Sequence, residues 1–336
     1  MIQIDTANLS TIAEVKSLEA GTSTLFQSVL LLEKITTRTA RNGSDYLVVD
    51  LADRTGKLSI NCFSNSVGFD YFKASSPGHV VHIEAQTDYY QGKLSPRLLA
   101  VMQLPEELVE QERWLPRLIE SAPEDASSLW ADIERFIQKI ENPRLRATVQ
   151  EVFNDVGESF KTTPGAISIH HAYHHGLMEH TVHIARAAEV LLPLYPEVHA
   201  DLALAGILLH DMGKTIEYTT ENRVTQKSRI GILQGHVVLG YRLARKAAIQ
   251  HKLEEDLLER LEHIILSHQG ELEWGAAAMA ATPEAIFVSL VDNLDAKMGI
   301  VQQALRRTPA SEPFAPYNPA IKAPILITPI EEGSSS

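Results

Sequence analysis

HADLALAGILLHDMGK, residues 199–214, carries apolar side chains at three- and four-residue intervals and then stops on an adjacent histidine and aspartate. That spacing predicts a helix. The same periodicity recurs from about Leu145 to Arg307, in LRATVQEVFNDV, GLMEHTVHIARAAEVLLPLY, ILQGHVVLGYRLARKAAIQ, LEEDLLERLEHIILSH and PEAIFVSLVDNLDAKMGIVQQALRR. Residues 145–307 are therefore expected to form an all-α bundle.

Upstream the pattern changes. From Leu25 to Leu104 short runs rich in β-branched and aromatic residues alternate with turn chemistry: Asn42-Gly43, Asp53-Arg54-Thr55-Gly56 and Gln91-Gly92. Asn-Gly between such runs marks a hairpin, because both turn positions tolerate positive φ. Five strands in about 80 residues predict a small β-barrel over residues 20–105. The chain is thus expected to be multi-domain, α and β. An extension (1–19) precedes the barrel, a helical linker broken by Pro116, Pro123 and Pro143 (106–144) follows it, and a proline-rich, extended or disordered tail (308–336) ends the chain.

Bulk properties narrow the function. The formal net charge of −13 argues against a protein that coats nucleic acid non-specifically, since that needs clustered Lys and Arg. The charge is uneven: residues 20–104 hold eight basic and seven acidic side chains, a net of +1, leaving −14 elsewhere. The single cysteine, Cys62, excludes an intramolecular disulfide and a cysteine-based zinc cluster, and is expected to be a buried strand residue. Neither a run of roughly 18 apolar residues nor a signal peptide is evident, so a soluble, cytoplasmic protein is expected, with no membrane partner.

The 14 histidines crowd between His170 and His183 and again at His210, His236, His263 and His268. His180, His210, Asp211, His236, His268 and Asp292 each fall on or at the end of a predicted helix. Imidazole and carboxylate donors converging from several rigid helices suit a divalent metal. Four histidines and two aspartates are too many for one catalytic ion that keeps positions open for water. Two ions are expected, His180, His210, Asp211 and Asp292 holding one, with Asp211 bridging to another on His236 and His268. His183 rivals His180 and Asp295 rivals Asp292, since three-residue spacing puts each pair near one helix face. Glu179 is expected to be a surface carboxylate.

The blocks HHAYHHGLMEHT, LLHDMGK, QGH, LSHQGELEWG and DNLDAK, in that order, resemble the signature of HD-domain phosphohydrolases, and more narrowly of YhaM-type bacterial 3′-to-5′ exoribonucleases. That family joins an N-terminal OB-fold to a C-terminal HD domain, and the likeness spans roughly residues 20 to 305. It selects His180 over His183 and Asp292 over Asp295, leaving Asp295 to orient a ligand, and it implies manganese, with iron, cobalt, nickel and zinc as the other metals that these donors suit. Three departures stand out. His175-Gly176 replaces paired glycines, Gln269 stands where a second histidine follows position 268, and Gly275-Ala276-Ala277 replaces a Gly-Ser-Pro run.

The resemblance implies an exonuclease that trims single-stranded RNA, with single-stranded DNA as a second substrate, to nucleoside 5′-monophosphates by two-metal activation of water. Asp211 and Lys214 are the candidate catalytic residues, Lys214 as a point charge against the phosphate. His171 is a candidate substrate contact. In the barrel, Tyr46, Phe63, Tyr89 and Tyr90 are candidates for stacking on bases, and Arg38, Arg41, Lys57 and Lys93 for following the backbone. Two other functions compete: hydrolysis of small or cyclic nucleotides, and strand binding without turnover. Self-association into a homo-oligomer is compatible with the apolar helices of the bundle.

Overall fold

The computed structural model describes residues 8–18, 22–40, 43–90, 93–111, 114–167, 171–309 and 312–328. Two compact units form, residues 1–120 with 220–224 and residues 121–219 with 225–336.

The first unit is built on five antiparallel strands, β1 (Leu25–Thr39), β2 (Asp45–Asp53), β3 (Gly56–Phe63), β4 (Val80–Gln86) and β5 (Arg97–Gln103), in the order β3-β2-β1-β4-β5. The long β1 serves two neighbours. Its first half pairs with β4 and its second with β2, with an irregularity between Leu32 and Lys34. Strict alternation of buried and exposed residues along β3 shows one face packed and one in solvent. In the middle of β1, by contrast, Val29, Leu30, Leu31 and Leu32 are all buried. Leu30 and Leu32 join the main core with Val49, Leu51, Ile60 and Ile83, whereas Val29 and Leu31 face a second core with Leu104, Val109, Trp114 and Leu118. Cys62 is buried in β3, as expected.

The expected barrel is not closed. Among the described residues no ladder joins β3 to β5, so the sheet has two edges. Helices flank the core instead: Phe72 from the helix Phe69–Ala74, and Ile12 and Val15 from the helix Ile12–Ser17, fill it. The Asp53 turn ties the latter helix down, one carboxylate oxygen accepting from Thr55 N and Gly56 N and the other from Ile12 N at 2.7 Å. Asn42 and the Gln91-Gly92 turn lie outside the described residues.

The second unit is helical: α1 (Ala126–Lys139), α2 (Pro143–Val156), α3 (Gly176–Leu191), α4 (Ala200–Leu209), α5 (Arg229–Gln250), α6 (Glu255–Ser267) and α7 (Pro283–Arg307). Starts are marked by side-chain caps: Asp125, Asn142, Ser228 and Thr282 each accept from a backbone N–H of the first turn, satisfying donors a helix leaves open. From Leu202 to Leu209, α4 is buried on every side, the mark of a central helix. Each leucine so buried contributes about 2 kcal/mol. Because α4 runs through the middle of the bundle, the His210-Asp211 pair that ends it is delivered into the interior. No helix among the described residues is long and apolar enough to cross a membrane.

Candidate metal centre

His180 projects from α3, His210 caps α4 with Asp211 following, His236 lies in α5, His268 caps α6 and Asp292 comes from α7. His180, His210, Asp211 and His268 are all at most 3 % exposed. His180 Nε2 is 3.3 Å from His210 Nε2 and 3.2 Å from Asp292 Oδ1. Asp211 divides its carboxylate. Its Oδ2 lies 3.6 Å from His180 Nε2 and 3.4 Å from His210 Nε2, while its Oδ1 lies 3.5 Å from His236 Nε2 and 3.6 Å from His268 Nε2. Two donor sets result around Asp211, His180-His210-Asp292 and Asp211-His236-His268, each spanning no more than 4.8 Å, and a third group of the same span, His171-His180-Asp295, lies behind His180.

The far side of each imidazole fixes what the near side offers. His210 Nδ1 meets the carbonyl of Ile207 and His268 Nδ1 that of Ile265, both at 2.7 Å. A carbonyl only accepts, so in both rings Nδ1 carries the hydrogen and Nε2 keeps its lone pair. His180 Nδ1 faces Asp295 Oδ2 at 2.7 Å, and His236 Nδ1 faces Glu217 Oε2 at 2.9 Å. This is the arrangement by which outer carboxylates and carbonyls orient metal-binding histidines.

Burial opposes ionisation of Asp211, but Lys214 and His210 outweigh it and hold its carboxyl well below the usual range. Asp292 is likewise resisted by burial and brought down to about 2 by its bond with His180. His180 shows the converse: burial disfavours its charge, yet Asp292 and Asp295 push its pKa up to about 10. The donor set fits a divalent cation. The Nε2 lone pairs of His210 and His268 and the carboxylate oxygens of Asp211 and Asp292 are gathered at a place that His180, when charged, fills with its own proton and that a metal would take over. Asp211 Oδ1 is buried without a hydrogen-bond partner, a costly arrangement that a cation would relieve.

Other candidate residues fall elsewhere. Lys214 is buried, its ammonium 2.6 Å from both Asp211 Oδ2 and the carbonyl of Gly165, so it faces the centre's own carboxylate. His171 is also buried and stands behind His180: Nε2 is 2.8 Å from Asp295 Oδ2 and Nδ1 is 2.8 Å from Glu179 Oε2. Both ring nitrogens are engaged inside the protein. His183 lies 3.3 Å from Asp295 Oδ1 and against the His171 ring, in neither of the two donor sets. Glu179, expected at the surface, is 3 % exposed. It bonds to His171 and Tyr173, because the helical turn that points His180 inward also carries its neighbour to the buried loop before α3. Glu217, Tyr173 and the orienting carbonyls of Ile207 and Ile265 carry no signal in sequence, being defined by tertiary contact alone.

In the sheet unit Arg38, Tyr46 and Phe63 are paired across β1, β2 and β3, forming one row. The rings of Tyr46 and Phe63 stack with centroids 5.2 Å apart. Phe63 is 46 % exposed, an apolar ring left open to solvent. Lys57 is held by Glu33 at 2.7 Å, and Tyr89 is half-buried with its hydroxyl near the carbonyl of Leu18. Arg41 and the Lys93 side chain lie outside the described residues.

The stretch that contributes all six converging residues is also the stretch with a family match. Residues 177–297 match the family model described as HD domain, so the helical unit carries an HD domain, which indicates a metal-dependent phosphohydrolase.

Proposed function

We propose that the protein is a metal-dependent 3′-to-5′ exonuclease of single-stranded nucleic acid, with RNA as its principal substrate and two divalent ions, manganese by preference, as its cofactor. The observation that carries the two-ion part is the divided carboxylate of Asp211, with one oxygen toward His180 and His210 and the other toward His236 and His268. Divalent ions bound there would lower the pKa of a water and neutralise charge on the phosphate.

The chain's own residues do the rest. His180, His210 and Asp292 would hold one ion and His236 and His268 the other, with Asp211 between them. Asp295 and Glu217 fix the ring orientations of His180 and His236. Lys214 keeps Asp211 ionised and in place, acting on the phosphate only through that carboxylate. Support for a strand as substrate comes from the Arg38, Tyr46 and Phe63 row, which pairs a cation with stacked rings on a sheet face, the combination that binds single strands with little sequence preference.

A 5′-labelled single-stranded RNA and its DNA counterpart, incubated with and without Mn²⁺ beside the Asp211→Ala variant, test this reading. The expected result is a ladder shortening from the 3′ end that needs metal, releases nucleoside 5′-monophosphates and vanishes in the variant. Intact strands with metal bound overturn the exonuclease reading, and turnover of small nucleotides in their place would assign the centre to those instead.

A further inference from the structure

Gln269 directly follows His268, and its side-chain amide closes over the second donor set. The amide nitrogen lies 3.1 Å from His236 Nε2 and 3.0 Å from His268 Nε2. The His268 atom carries a lone pair, since its Nδ1 donates to Ile265, and His236 is oriented the same way by Glu217. An NH₂ group answers two lone pairs with one hydrogen each. A cation seeks the same two lone pairs, so the amide nitrogen and a cation exclude one another.

The amide oxygen does not share that conflict. It is nearly isosteric with the nitrogen, and half a turn about the last side-chain bond brings it to the same place. An oxygen there would stand about 3 Å from each imidazole nitrogen, the spacing of neighbouring donors around an ion with bonds of about 2.1 Å. Asp211 Oδ1, buried and without a hydrogen-bond partner, faces the same two rings.

Building on the two-ion reading above, we propose that Gln269 is a ligand of the second ion through Oε1, with its amide turned over. The set then becomes Asp211 Oδ1, His236 Nε2, His268 Nε2 and Gln269 Oε1. An amide oxygen is a neutral, hard donor, suited to manganese or magnesium more than to zinc or nickel. The second ion must also break two hydrogen bonds made by the amide. Its preference is moved toward Mn²⁺ relative to a site with histidine at this position.

Calorimetric titration of metal-stripped, full-length protein with Mn²⁺ and with Zn²⁺ tests this, together with metal content by elemental analysis and thermal melts to confirm folding. Wild type is expected to show two steps. Gln269→Ala weakens the second step about 10-fold or more and leaves the first unchanged. Gln269→Glu, which keeps an oxygen and adds charge, tightens the second step, and Gln269→His moves its preference from Mn²⁺ toward Zn²⁺. A second step unchanged or tightened in Gln269→Ala overturns the proposal, since the amide would then only cap the rings. So does a weakened second step in Gln269→Glu. A single step in wild type overturns the two-ion reading itself.

Discussion

Gly213 lies so close beneath the backbone of His236 that a Cβ on it would stand 1.9 Å from the His236 carbonyl oxygen and 2.5 Å from Gly240 N. The turn after Asp211 and the helix bearing His236 are thus in backbone contact, which keeps Asp211 Oδ1 within 3.5 Å of the His236 ring. His236 is also preceded by Gly235, whose φ of 71° interrupts α5 in a conformation side chains rarely adopt. Gly213→Ala must push the two backbones apart. It is expected to cost about 2 kcal/mol in stability and to weaken the His236 half of the centre more than the His180 half. Chemical denaturation and metal stoichiometry check both.

Asp295 accepts from His180 and His171 through Oδ2 and lies 3.3 Å from His183 through Oδ1. Burial opposes its charge, but these three histidines hold the carboxyl well below its ordinary range. Asp295→Asn keeps the shape and removes the charge that orients His180. Metal affinity is expected to fall about 10- to 100-fold, and the metal-free protein is expected to melt at a lower temperature, because a buried carboxylate paired with three histidines is lost. Equal affinity in the variant and wild type would show that the Ile207 and Ile265 carbonyls suffice to set the site.

The helical unit is legible because its helices carry apolar residues at three- and four-residue intervals; residue type and placement at helix ends point to His210, Asp211, His236 and His268, and the resemblance selects His180 over His183 and Asp292 over Asp295. His180, His210, Asp211, His236, His268 and Asp292 were all named from the sequence, and they meet. What could not be read was the support behind them. Glu179 looks like a surface residue beside His180 because its partners, His171 and Tyr173, come from a loop with no periodicity. Lys214 looks like a phosphate ligand by position, and only the packing shows its ammonium against Asp211 and Gly165. In the sheet unit the strands followed from alternation and turn residues. Closure did not, because it depends on whether β3 and β5 pair, a contact that no local pattern encodes.

Arg186 on α3 binds Glu124 through two nitrogens at 2.7 Å and Asp132 at 2.6 Å. Glu124 is lowered chiefly by its bond with Arg186, whereas Asp132 is lowered against the pull of burial by Arg135 and Arg186. Depressed carboxyl pKa values contribute stability above the unfolded values, and that contribution is lost as pH falls through the folded ones. Arg186→Met should therefore cost about 1 kcal/mol at neutral pH, a modest figure because the guanidinium is partly exposed. The difference from wild type should shrink as the pH falls below about 4. Denaturant titrations at neutral and acidic pH measure it, and a gap that persists in acid would assign the loss to packing of the arginine stem.

The Tyr46 and Phe63 pair allows the proposed strand binding to be tested apart from the proposed chemistry. Both rings lie on the sheet unit, while all six converging residues lie on the helical one, so a substitution at the rings leaves the metal-centre side chains in place. Phe63→Ala removes an exposed ring that contributes nothing to the buried cluster around Val49 and Ile60, and the fold should survive it. If a base stacks there, affinity for a single-stranded oligonucleotide falls by about 1–3 kcal/mol, and turnover of a small phosphodiester with no bases to stack is unchanged. If Arg38 follows the backbone, Arg38→Ala weakens binding more at low salt than at high, because a contact to a phosphate is screened. Binding by fluorescence anisotropy across a salt series distinguishes the two effects. Loss of small-substrate turnover in Phe63→Ala would instead mean that the ring supports the catalytic unit, and would remove the sheet face as the place where the strand is held.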